Sequence, residues 1–141
     1  MDLRQILYGV LMWGVFIYAL RRGEWAERLA AGSTVAAAYL TVVAYSPVAV
    51  RFQRVETLVL LIDAGLVILF LIISLRSHKF WPLWLTAIQM LTVFAHLSPF
   101  VPHMLPWGYW RAGAVWGWLK LIVLALVIHR AQATGTDTAY K

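Results

Sequence analysis

Apolar residues along this chain fall into five long blocks, and polar residues gather in the short stretches between them. The first block runs from Leu3 to Leu20 and stops at Arg21-Arg22-Gly23-Glu24. Gly23 suits a helix C-terminal cap there, and the paired arginines suit a headgroup layer. The second block, Trp25 to Tyr45, is alanine-rich, has Glu27 and Arg28 in its first turn, and ends at Ser46-Pro47. The third spans Glu56 to Leu75, with Asp63-Ala64-Gly65 interrupting an otherwise strongly apolar run. The fourth, Phe80 to Phe100, opens on Trp81-Pro82-Leu83-Trp84 and closes at Pro99 and Pro102. The fifth, Trp107 to His129, follows Pro106. Each block approaches the roughly 20 residues that a bilayer-crossing helix needs. The pattern therefore predicts an all-α, polytopic transmembrane helix bundle of five spans, with four as the alternative if the second block does not cross. Residues 1–130 form one transmembrane domain in this reading, and 131–141 a polar, disordered cytoplasmic tail.

Composition narrows the picture further. Of 141 residues, 62% are hydrophobic and 13% charged, with a mean hydropathy of +0.76. Soluble domains run near ~45–50% apolar and ~25% charged. A globule of this size cannot hide so much apolar surface from water. Five spans would take about 100 residues, which leaves only loops and tails. A soluble enzyme, a disordered chain and a nucleic-acid-binding domain are therefore poor fits, despite a net charge of +6. The basic residues sit at the ends of apolar blocks, where they meet anionic headgroups and set topology. The N-terminal block imitates a secretion signal, but no small-residue cleavage site precedes Arg21, so an uncleaved first span is expected.

Five spans put the termini on opposite sides. Arg21, Arg22, Arg28, Arg76, Lys79, Arg130 and Lys141 then share one side, and Arg4, Arg51, Arg54 and Arg111 the other. The positive-inside rule places the C-terminus in the cytoplasm.

Ionisable groups inside spans are the leads to chemistry, because burying them is costly. Asp63, His96 and Lys120 lie within the predicted spans, Arg111 lies near a span end, and Gln89 adds an uncharged polar group. At 1.5 Å per residue, Asp63, His96 and Arg111 fall in the outer half of the bundle, and Lys120 lies about 20 Å in, near Gln89 or deeper. Thr86, Gln89, Thr92 and His96 occupy an arc of about 120° on one helix, a stripe that should face other helices as a polar path or as hydrogen-bond glue. An Asp63–Arg111 pair would be structural, whereas Asp63 or His96 as a proton-loading group would be functional.

Small residues supply the packing candidates. Ala26, Ala30, Thr34 and Ala38 recur every four positions, with Gly32 and Ala36 as a second row, and Gly113 and Gly117 form a G-x-x-x-G pair on the side of Lys120. Either set allows close helix approach. The chain has no cysteine, no paired carboxylate site and no nucleotide or hydrolase motif. The four histidines are poorly matched in depth for haem. No cofactor or metal is expected.

The stretch from Arg76 to His96, with Trp81-Pro82-Leu83-Trp84, Gln89 and His96, resembles a pattern in uncharacterised small inner-membrane proteins of proteobacteria, as does the Arg22 to Arg28 turn. The resemblance implies a bacterial polytopic helical protein and assigns no activity. The leading expectation is a structural or accessory membrane protein that packs with itself or with a larger complex in the lipid bilayer. A small oligomeric transporter or channel using Asp63 and His96 is the alternative, and a membrane redox or lipid-modifying enzyme a third.

Overall fold

A computed structural model describes residues 2–44, 57–96 and 106–138, with the side chains of the last helix described from 114 to 133. The chain is all-helical: α1 (Leu3–Arg22), α2 (Trp25–Ala44), α3 (Thr57–Ser77), α4 (Trp81–Ala95) and α5 (Pro106–Thr138). Each helix packs on its neighbour in sequence, α5 returns to pack on α1, and α2 also touches α5, so the five form a closed ring. The contact between α3 and α4 is the most extensive.

Three stretches are long and apolar enough to cross a membrane: Leu3–Arg22, Thr57–Ser77 and Ala114–Ala133. The other two helices fall outside that set for different reasons. Helix α2 has 20 residues, but Glu27, Arg28 and its alanines, serine and threonines dilute its hydropathy. Helix α4 has 15 residues, about 22 Å at 1.5 Å per residue, less than the ~30 Å hydrocarbon layer. It ends at Ala95, short of the expected Phe100, with His96 as its C-cap; residues 97–105 lie outside the described residues, as do Arg51 and Arg54.

Helix α5 is longer than the apolar pattern predicts and continues through Thr138, into the stretch expected to be a disordered tail. The physical reason is local. Arg130, Ala131, Gln132 and Ala133 are good helix formers, and the Gln132 side chain donates to the Arg22 carbonyl at 3.2 Å, tying the extension to the end of α1.

The α1–α2 turn is closed by Gly23. Its N–H donates to the Ala19 carbonyl at 2.8 Å, yet its backbone is extended and not left-handed. Glycine is needed here for space: a Cβ would stand 2.6 Å from Ala19 O and 2.9 Å from Glu27 Cβ. At the α3–α4 turn, His78 takes a left-handed conformation with φ 53°, which for a residue with a Cβ costs about 1–2 kcal/mol. Pro82 lies in the first turn of α4, where its missing N–H leaves no bond unmade.

The core holds Phe70, Ile73, Leu85, Leu124 and Ile128 against a bed of alanines from α1 and α2. Ala26, Ala30 and Thr34 are buried and Ala38 is partly so, which puts the four-residue row inside the bundle. Of the second row, Gly32 meets Phe16 and Ala36 is exposed. Lipid tails are as apolar as leucine, so close fit and dispersion hold such a core more than escape from water does. Large apolar side chains, Val10, Leu40, Val43, Ile68 and Leu75 among them, cover the outside.

Candidate functional site

Four of the polar residues singled out in the sequence come together between α3, α4 and α5. Asp63 stands six residues into α3, about 9 Å from its start. Gln89 and His96 project from the same side of α4, seven residues apart. Lys120 reaches in from α5.

The bonds form a continuous chain. His96 Nε2 lies 2.9 Å from Asp63 Oδ2. Gln89 Nε2 donates to Asp63 Oδ1 at 2.8 Å and to the Asp63 main-chain oxygen at 3.3 Å. Lys120 Nζ donates to Gln89 Oε1. Gln89 is fully buried, His96 and Lys120 are nearly so, and the Asp63 side chain is 13% exposed. Each charged member has a polar partner, as burial away from water demands.

The geometry fixes the Gln89 carboxamide. Its NH2 faces a carboxylate and its oxygen faces an ammonium. Turning it over would set donor against donor and acceptor against acceptor. The amide dipole thus lies along the line from Lys120 to Asp63, and a single glutamine joins a cation and an anion that do not touch.

The threonines of the α4 stripe behave differently. Thr86 is buried and donates to its own helix at the Pro82 carbonyl at 2.8 Å, and Thr92 does the same to Ile88 at 3.3 Å. They soften the polarity of the stripe without joining helices. Gln89 and His96 alone carry it across to α3 and α5.

Gly117 serves a contact within the chain. The ring of Tyr8 from α1 would lie 3.4 Å from a Cβ there, and Tyr8 meets Trp118 edge-on with ring centres 5.6 Å apart. Arg111 and Gly113 lie outside the described side chains, and so does any Asp63–Arg111 pair. Trp81 is partly buried with its indole N–H unpartnered. Among the described residues, no group of three or more acidic or histidine side chains could hold a metal.

A second polar cluster was not visible in the sequence reading, which treated Lys79 as a topology charge. Lys79 Nζ donates to Glu24 Oε2 at 2.6 Å and Glu27 Oε1 at 2.9 Å, clasping the α1–α2 turn to the α3–α4 turn. Glu27 is 1% exposed, and its other oxygen accepts from the Glu24 N–H at 3.0 Å. A signal existed: an acid three residues after the first residue of a turn caps the helix that follows. Partial burial pulls the Lys79 pKa down, but hydrogen bonds and charge from Glu24 and Glu27 outweigh it and leave the group above its ordinary value.

No protein-family model, curated protein or solved structure matches this chain.

Proposed function

We propose that this is a five-span accessory membrane protein of a bacterial inner membrane, acting through helix packing with itself or with a larger membrane complex. The observation that carries the reading is the polar chain itself: Asp63, Gln89, His96 and Lys120 satisfy one another and thereby join α3, α4 and α5. Polar groups used this way act as glue between helices. Helices α2 and α4 join the membrane-length set as spans in this reading, supported by turns of only two and three residues, 23–24 and 78–80, after α1 and α3. Packed in the ring, α2 and α4 find cover that neither would have alone.

Orientation follows from the basic residues. Arg21, Arg22, Arg28, Arg76 and Lys79 gather at the end where the Gln132–Arg22 bond also holds α5. This end faces the cytoplasm in the proposal. The resemblance of the Arg76 to His96 stretch to proteobacterial inner-membrane proteins supports the compartment.

Purification in mild detergent, with cross-linking in native membranes beforehand, tests the reading. A stoichiometric membrane partner or a defined homo-oligomer is the expected result. A monomer that cross-links to nothing in its own membrane overturns it. A reporter fused after Lys141 should read as cytoplasmic, and a periplasmic signal would reverse the orientation.

A further inference from the structure

The bundle end at the α1–α2 and α3–α4 turns holds more positive charge than the Lys79 clasp can balance. We propose that this rim is a binding surface for anionic phospholipid, with Arg21, Arg22, Arg28 and Arg76 taking the headgroup phosphates.

The clasp closes on itself. Glu24 and Glu27 both bond to Lys79, and the second oxygen of Glu27 is taken by the Glu24 N–H. Among the described residues, no carboxylate pairs with Arg21, Arg22, Arg28 or Arg76. All four of these arginines are exposed. They come from three helices: the last turn of α1, the start of α2 and the last turn of α3. Lys79 ties the two turns to each other, and the Gln132 side chain ties α5 to the carbonyl of Arg22. The arginines therefore stand on one braced rim. The other end of α1 differs, because the charges of Asp2 and Arg4 offset each other there.

The surroundings select a phospholipid over a soluble anion. A guanidinium offers a planar fork of donors that suits phosphate oxygens. The charged rim also borders apolar surface. Leu20, Leu29 and Leu75 are exposed beside Arg21, Arg28 and Arg76. Trp25 and Trp84 are exposed at the same end, and Phe80 meets Trp84 edge-on with ring centres 6.4 Å apart. Rings of this kind settle at headgroup level. A free anion needs only the charge. A phospholipid uses both parts, with its phosphate at the arginines and its acyl chains along the leucines. The inference needs this end to meet a membrane surface and does not need the accessory role, so a chain that stays monomeric leaves it standing.

Lipid competition in detergent tests the surface. Delipidated protein is equilibrated with equal amounts of phosphatidylglycerol and phosphatidylcholine, and mass spectrometry of the intact complexes identifies the lipid that stays bound. The native chain should favour phosphatidylglycerol by about fivefold, what one basic residue near an anionic surface contributes. High salt should reduce that preference. Arg21→Gln, Arg22→Gln, Arg28→Gln and Arg76→Gln combined should bring it close to parity, with helicity checked by circular dichroism. Arg4→Gln should keep the native preference. Micelles have no inside or outside, so topology cannot produce these differences. The native-chain measurement stands whether or not the fourfold variant folds. Three results overturn the proposal: parity in the native chain, an unchanged preference in a folded fourfold variant, or release of bound phosphatidylglycerol by an equal concentration of inorganic phosphate, which would assign the rim to a free anion.

Discussion

Among the described residues two charged clusters hold this bundle, and they differ in depth. The Lys79 clasp joins two turns at the bundle end, with Lys79 and Glu24 partly in solvent and Glu27 buried. The Asp63–His96–Gln89–Lys120 chain lies among the helices, with a neutral amide between its opposite charges. Near water, direct ion pairs suffice because solvent and salt solvate what the partner does not. In the interior each polar atom must be satisfied by protein, so hydrogen-bond geometry and charge must both close. The same residue types therefore have different consequences. The clasp should adjust to its surroundings, and the interior chain should tolerate little change.

Breaking the interior chain should have the largest effect. Asp63→Leu strands His96, Gln89 and Lys120 together and should cost about 3–5 kcal/mol, the usual penalty for removing one partner of a buried ionic group. Equilibrium unfolding in mixed micelles measures it. Adding Lys120→Met to that variant should recover part of the loss, and a further loss would show that Lys120 is stabilised by something other than Gln89 and Asp63.

The clasp should respond less, and in a way that salt can weaken. Lys79→Met should cost more than the ~0–1 kcal/mol of an exposed pair, because it leaves the buried Glu27 without its cation, yet less than Asp63→Leu, and the part due to the exposed Glu24 should narrow at high ionic strength. Its pH dependence has a definite sign. The folded-state pKa of Lys79 is raised above its ordinary 10.5. The pair's stabilisation is thus complete below that value and fades as pH rises through the higher folded value. Unfolding measured between pH 9 and 12 should show this loss in the native chain and not in Lys79→Met; identical profiles would dissociate the clasp from stability.

The smallest effect isolates backbone from charge at the same turn. His78→Gly relieves a left-handed backbone, worth about 1–2 kcal/mol, but gives back about 0.5–1 kcal/mol through the looser unfolded chain. A net gain of about 0–1.5 kcal/mol is expected by the same unfolding measurement. A clear loss would mean that the His78 side chain itself supports the clasp.

Particular residues show how far the sequence could be read. Asp63, Gln89, His96 and Lys120 stood out because polar groups in apolar helices are rare and expensive. Helical depth placed Lys120 near Gln89 or deeper, and Asp63 with His96 and Arg111 in the outer half. Depth alone did not join the two groups. Gln89 does so by bonding in both directions, and the direction a side chain faces across a bundle depends on how neighbouring helices are rotated. Lys79 was harder to read. Its partners lie 52 and 55 positions away, and a basic residue at a helix end is usually explained by the headgroup layer.

What the sequence determined by itself is the class and the elements: apolar blocks of near-membrane length have to become helices, because a backbone in lipid must satisfy its own hydrogen bonds. It also determined which few residues would resist that environment. Tertiary structure alone decided how they resolve it. The ring of five helices turns four isolated polar residues into one chain, gives Gly23 its space requirement and Gly117 its tyrosine, and lets the short α4 carry two members of the site. Hydropathy is a property of each segment, whereas pairing is a property of the angles between segments, and only packing sets those.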